Sequence, residues 1–248
     1  MRALTTAVAL ALAVPVAVPA VSWAADAPGA WGGLFSAITL ASDYRYQGVS
    51  ESRSRPVAQG YIHWYRPDGF YAGVFATQVD YGYSGAPSYE IDSYAGKNFS
   101  LQGGRTELKL EGMYTSFPDN RTPGPTFDFI QAKLQAKHVA GPWTTIALVS
   151  YVPEGSYRSG EVVRAEGEAD VVVSPRLTLK ALAGVQGGGR GHDRTYWSIG
   201  AATTWKTLGL ELRYVGTDRT RANCGFQPTA CDPAIVGTLT VNLPPLIF

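Results

Sequence analysis

From residue 33 to residue 243 the chain divides into segments of roughly ten to thirteen residues that alternate apolar and polar positions over at least part of their length. No stretch sustains a helical period. Residues 126–139 show the pattern: Ile130, Ala132, Leu134 and Ala136 fall on one parity, Gln131, Lys133, Gln135 and Lys137 on the other. Successive side chains of a strand point to opposite faces, so one face of such a segment suits hydrocarbon and the other water. The division recurs in 105–117, where Leu108, Leu110, Gly112 and Tyr114 oppose Glu107, Lys109 and Glu111. It recurs in 161–173, where Val163, Ala165, Ala169, Val171 and Val173 oppose Arg164, Glu166, Glu168 and Asp170, and in 208–217, where Leu210, Leu212 and Tyr214 oppose Glu211 and Arg213. Segment 143–152 is apolar on both faces, and in 88–99 Asp92 and Tyr94 share one.

The pattern predicts about twelve strands: 34–46, 55–65, 70–81, 88–99, 105–117, 126–139, 143–152, 161–173, 176–186, 194–205, 208–217 and 234–243. Their connectors alternate in length. Short ones, at 66–69, 100–104, 140–142, 174–175 and 206–207, carry turn residues except the last, where Gly209 follows. Long ones occupy 47–54, 82–87, 118–125, 153–160, 187–193 and 218–233. In up-and-down order every short connector falls on one rim and every long one on the other. This predicts an all-β, antiparallel transmembrane β-barrel with short periplasmic turns and longer external loops, both termini at the periplasmic rim.

The charged positions decide which face is inside. A Lys or Arg turned to lipid at the bilayer midplane costs about 2–4 kcal/mol, so several together would exceed the net stability of a domain. Asp43, Arg45, Glu107, Lys109, Glu111, Lys133, Lys137, Arg164, Glu166, Glu168, Asp170, Lys180, Glu211 and Arg213 are therefore expected to line a lumen. Counting across the corner at 174–175 sets Asp170 opposite Lys180, a cross-strand pair that could help to close it. Trp143 and Tyr151 share a face eight residues apart, as do Trp197 and Trp205. At about 3.3 Å per residue and a tilt of about 40°, that spacing climbs roughly 20 Å, close to the separation of two aromatic girdles.

Composition agrees. The chain of 248 residues is 45% hydrophobic and 12% aromatic, with 14 Tyr, 28 Gly, and 21 basic against 20 acidic side chains. So even a balance excludes a nucleic-acid partner, and so apolar a chain is not disordered. Residues 1–24 read as a signal peptide: Arg2 opens it, an uncharged run from Ala7 to Ala20 follows, and Ser22-Trp23-Ala24 ends it. Residues 25–248 are then one barrel domain. Cys224 and Cys231 bracket a Pro-containing loop, and in an oxidising compartment a disulfide is expected there. No metal site is expected, since two thiols without a nearby His give half a zinc site. Among His63, His138 and His192 none shows a catalytic triad. The glycine-rich run 186–190 has no following helix to make a phosphate cradle. No enzyme and no cofactor are predicted.

The stretch from Leu40 to Ser50, then Arg55-Pro56-Val57-Ala58-Gln59-Gly60, then Gly69 to Ala76, resembles the opening of the TorF family of porins; Tyr89 to Gly96 is similar to that family's fourth-strand motif. The resemblance implies a bacterial outer-membrane barrel that conducts small solutes, with no well-defined substrate and no catalytic residues. Two departures stand out: Gln47 where the family more often has Arg, and Pro244-Pro245 interrupting the final strand. Terminal Phe248, on the same resemblance, is the residue presented to the barrel-assembly machinery. The implied function is passive diffusion through a narrow, mixed-charge lumen of weak ion selectivity, with outer-membrane lipid and small solutes as partners. The alternatives are a closed structural barrel, a surface-binding protein acting through its loops, and an outer-membrane lipid-modifying enzyme.

Overall fold

The computed structural model describes residues 32–191, 193–224 and 227–247. The expected signal segment 1–24, His192 and Phe248 lie outside the described residues. The strands in chain order are β1 (Gly33–Ala41), β2 (Arg45–Tyr46), β3 (Val49–Ser50), β4 (Val57–Tyr65), β5 (Phe70–Gln78), β6 (Tyr89–Leu101) and β7 (Thr106–Ser116). There follow β8 (Phe129–Ala140), β9 (Trp143–Val152), β10 (Val162–Ser174), β11 (Leu177–Gly188), β12 (Arg194–Trp205), β13 (Leu208–Thr217), β14 (Ala234–Asn242) and β15 (Leu246–Ile247).

Twelve long strands, β1 and β4 to β14, pair antiparallel with their neighbours in chain order, and β14 returns to β1 with Ala37 opposite Asn242. At the remaining seam β9 and β10 pack side by side, and Val172 N–H donates to the Pro142 carbonyl at 2.9 Å. The result is a closed barrel. Closure removes the sheet edges, which hydrocarbon would leave unpaired. The two prolines at 244–245 lack the N–H a ladder needs, so the last strand breaks and resumes as β15, which still pairs with β1.

Segments 143–152, 194–205 and 208–217 coincide with β9, β12 and β13. Segment 34–46 does not: β1 ends at Ala41, and the chain then turns inward. The cause is local. The Asp43 carboxylate accepts hydrogen bonds from the Ser50 and Ser52 hydroxyls at 2.6 and 2.9 Å, offering the backbone an alternative to the ladder. Asp43 and Arg45 therefore stand on a folded-in loop rather than on the barrel wall. That loop carries the hairpin β2–β3, whose turn has φ of 53° at Gln47 and 82° at Gly48, the left-handed pair that glycine eases in a two-residue hairpin.

The alternation sorts the wall cleanly. Outward positions are Leu, Ile, Val, Ala and aromatic residues, among them Ile38, Ile62, Leu110, Leu134, Ile199 and Leu212, all more than half exposed. Among the described strand residues, one Lys, Arg, Asp or Glu faces out. It is Lys97, whose Nζ lies 4.2 Å from the centroid of Phe70 and 5.6 Å from that of Phe99 at the short-turn rim. A lysine there keeps its stem on apolar surface and its ammonium at the boundary. Exposed Trp64, Phe70, Phe99, Trp143 and Trp205 ring this rim; Tyr89, Tyr114, Tyr151 and Tyr214 ring the other, with Trp197 stacked edge-on against Tyr214.

Candidate functional site

The inward faces enclose a cavity of about 930 Å³. It is bordered by Tyr65, Asn98, Glu107 and Val139 near the short-turn rim and by Gly155, Arg219, Cys224 and Gln227 at the long-loop rim, so it extends along the barrel. It is not centred. Its walls are mainly β4 to β8, while the opposite side of the interior is filled.

The filling is ionic. Glu168 on β10 takes Arg213 at 2.7 Å and Lys180 at 3.2 Å; Lys180 also reaches Asp170 at 3.4 Å and Glu211 at 3.6 Å, and Arg213 pairs with Glu211. Asp170 and Lys180 are direct cross-strand partners. Glu166 and Glu168 are each 2% exposed. Of this group Asp170 borders the cavity; Glu166, Glu168, Lys180, Glu211 and Arg213 turn inward but do not. Two cations thus hold three of these carboxylates, Glu168, Asp170 and Glu211, while Glu166 faces Arg164 at 3.6 Å, since a desolvated charge needs a partner.

On β7 and β8 the charges do face the cavity. Lys109 and Lys133 hold Glu111 at 2.8 and 3.2 Å, and Lys137 lies 3.7 Å from Glu107. Tyr71 donates its hydroxyl to Glu111 at 2.9 Å, joining this wall to a second one on β4 to β6 made of rings. His63 stacks on Tyr71 with centroids 5.1 Å apart and planes 16° apart, and Tyr65 continues the series at the same angle. Nine of the fourteen tyrosines border the cavity, whereas the described tryptophans stand on outward strand positions.

The folded-in loop narrows the long-loop end. Arg45, paired with Asp43 at 2.6 Å, donates to the carbonyls of Gly48 and Asp232 at 3.0 and 2.7 Å. From the far wall Arg164 donates to the Tyr46 hydroxyl at 3.2 Å and Arg194 to Gln47 at 3.0 Å. The hairpin is thus bridged across the interior. Burial pushes the Glu51 carboxyl up, a shift that Arg194 and the Tyr81 hydroxyl partly offset. Cys224 and Cys231 form a disulfide beside it, and the Asp232 carboxyl is held below its usual range by hydrogen bonds from Arg221. Long loops 79–88 and 117–128 cap one side with an apolar cluster of Tyr44, Val57, Val79, Phe117 and Phe127, with Tyr157 4.2 Å from Phe127.

Residues that alternation missed are as telling. Glu90 and Asp92 on β6 are buried at the cavity, with Tyr44 donating to Glu90 at 2.9 Å and Thr115 to Asp92 at 2.5 Å. Segment 88–99 was ambiguous because its inward face mixes acids with Tyr94. Arg194 opens β12 inward, and its even parity, shared with Tyr196 and Ser198, was the available signal. His63 lies among rings, and exposed His138 meets Thr106 at 2.9 Å; neither assembles a triad. Among the described residues no group of His, Cys, Asp and Glu is disposed to hold a metal ion.

The fold is similar to that of solved porins. One, the KdgM porin, matches with a TM-score of 0.56 at 8% identity over 85% of this chain and 98% of that one. The KdgM porin in complex with disordered oligogalacturonate matches with a TM-score of 0.53 at 8% identity, over 87% of this chain and 99% of that one. No curated protein sequence matches the chain significantly. These likenesses support the porin-like barrel implied by the resemblance to TorF proteins, without showing TorF membership. A family model matches residues 26–241, nearly the whole barrel, and the chain belongs to that family, Gcw_chp, described as bacterial proteins of unknown function.

Proposed function

We propose that the protein is an outer-membrane channel giving passive diffusion of small solutes through a narrow, mixed-charge lumen. The observation that carries this reading is a cavity reaching from one rim toward the other inside a closed barrel whose described outer strand faces present a single charged side chain, Lys97. Of the expected lining, Glu107, Lys109, Glu111, Lys133, Lys137, Arg164 and Asp170 border the cavity, joined by Glu51, Glu90, Asp92, Arg194 and Arg219, with Asp43 and Arg45 acting through the constricting loop and the Glu168 network stiffening the wall. Acidic and basic residues border the cavity in equal number, which favours weak ion selectivity. Trp143, Tyr151, Trp197 and Trp205 serve as girdle anchors in lipid, and the C-terminal strand with Phe248 is the segment offered to the assembly machinery. The KdgM neighbour is named with an oligogalacturonate; here the even charge argues against a preference for polyanions.

A second reading, a closed structural barrel, is favoured by one feature: the hairpin β2–β3 tied across the interior by Arg164 and Arg194. Reconstitution into planar bilayers separates the two. Discrete conductance steps are expected; their absence from folded protein would remove the channel and leave the closed barrel.

A further inference from the structure

The sequence Tyr-Ala-Gly occurs at 71–73 on β5 and again at 94–96 on β6, and the register sets the two copies against each other. Tyr71 lies opposite Gly96 and Tyr94 opposite Gly73. Each ring therefore rests on the bare backbone of the opposing glycine. A Cβ on Gly73 would fall 2.7 Å from the Tyr94 Cζ, and one on Gly96 would fall 2.6 Å from the Tyr71 Cζ, so any larger residue would lift the ring from the wall. The glycines thus lay these tyrosines along the sheet instead of across the lumen. With Tyr61, His63 and Tyr65 on β4 they make a ringed wall that borders the cavity; Tyr71 is buried beneath His63, and the partly exposed rings of Tyr61, His63, Tyr65 and Tyr94 are what a solute would meet.

Adjoining this ringed wall is the ionic one on β7 and β8. Tyr71 sits at the corner, its hydroxyl on Glu111 and its ring 4.8 Å from the Lys109 ammonium. A solute filling the space must cover aromatic surface on one side and satisfy carboxylates and ammonium groups on the other. A purely apolar molecule would strip water from the half-buried Lys109 and Lys137 and the exposed Glu107 carboxyl without replacing it. A pyranose meets both demands: its C–H face lies flat on a ring, and its equatorial hydroxyls donate and accept at the rim.

We infer that the β4–β6 wall is a stacking site for neutral oligosaccharides. The inference rests on the channel reading for its role in transport, not for binding itself. Equal acidic and basic lining gives no net field to hold a charged sugar, so ring stacking with hydroxyl hydrogen bonding is the main source of affinity.

Full-length folded protein in planar bilayers is exposed to maltohexaose and to cellohexaose, with poly(ethylene glycol) of equal hydrodynamic radius as the control for simple occlusion. Saturable block by at least one hexasaccharide, beyond that of the polymer, is expected. The double substitution Tyr61→Leu with Tyr94→Leu keeps apolar volume but removes the ring faces, and should raise the half-blocking concentration about tenfold while open-channel current persists. Block no greater than the polymer's, or block unchanged in the double variant, overturns the inference with the channel intact. If no conductance appears, the same sugars are titrated calorimetrically against detergent-solubilised protein. Saturable binding lost in the double variant then upholds the site while the channel falls, and no binding overturns it.

Discussion

Leu134 and Gln135 are consecutive on β8, yet Leu134 is 54% exposed on the outer surface while Gln135 borders the cavity. Single substitutions at such a pair read the solvent on each side. Leu134→Arg is expected to destabilise the barrel by about 2–4 kcal/mol, whereas Gln135→Glu, placing its charge opposite Lys109 and between Lys133 and Lys137, should change little, by urea titration in lipid vesicles. Arg213 poses the opposite case, a cation already inside. Arg213→Met would leave Glu168 and Glu211 with Lys180 as their remaining ionic partner, and should cost about 3–5 kcal/mol in the same titration. Parity along the chain was enough to find Lys133, Glu166 and Arg213 as inward positions, because a strand offers two directions and lipid refuses one. It could not tell which inward charges meet open space. That depends on neighbours three strands away in sequence, which pair Glu168 with Arg213 and leave Lys137 at the cavity.

Among the elements, the first long loop departs most from the alternating pattern. The expected strand 34–46 ran through it because Tyr44 and Tyr46 continue the parity of the wall; three side-chain oxygens at Asp43, Ser50 and Ser52 redirect the chain inward instead. Replacing residues 45–50 by a short Gly-Ser linker should raise single-channel conductance at least twofold, since the hairpin and its ties to Arg164 and Arg194 then leave the lumen. The loop also carries a titrating group. Glu51 has a folded-state pKa above that of a solvated Glu, so its ionised form favours release of the loop. As pH falls through the raised value the penalty shrinks, and it vanishes below the ordinary value of 4.5. Acidification toward pH 4.5 should therefore favour the inward loop and lower conductance; Arg194, Asp43, Glu90, Tyr44 and Tyr81 are the charged and polar groups facing Glu51. Glu51→Gln should flatten that dependence and hold the low-conductance state at pH 7.

At the scale of the whole molecule, closure turns twelve marginal strands into one cooperative unit, since each strand is hydrogen-bonded on both sides or packed at the seam. Folded protein should accordingly migrate differently on detergent gels before and after boiling; identical migration would deny a resistant barrel. Much of this plan was written in the chain. Period-two alternation set the strands, Gly, Pro and Asp placed the short turns, and the cost of charge in hydrocarbon set which parity faces in, all of them local properties that need no partner to be stated. The tertiary structure decided the rest. It alone pairs the two Tyr-Ala-Gly copies into a flat ringed wall, gathers the charges of β10, β11 and β13 into a buried network, and threads the first loop across the interior. Those outcomes depend on register and on which strands meet across the lumen, relations between residues distant in sequence, and no local pattern contains them.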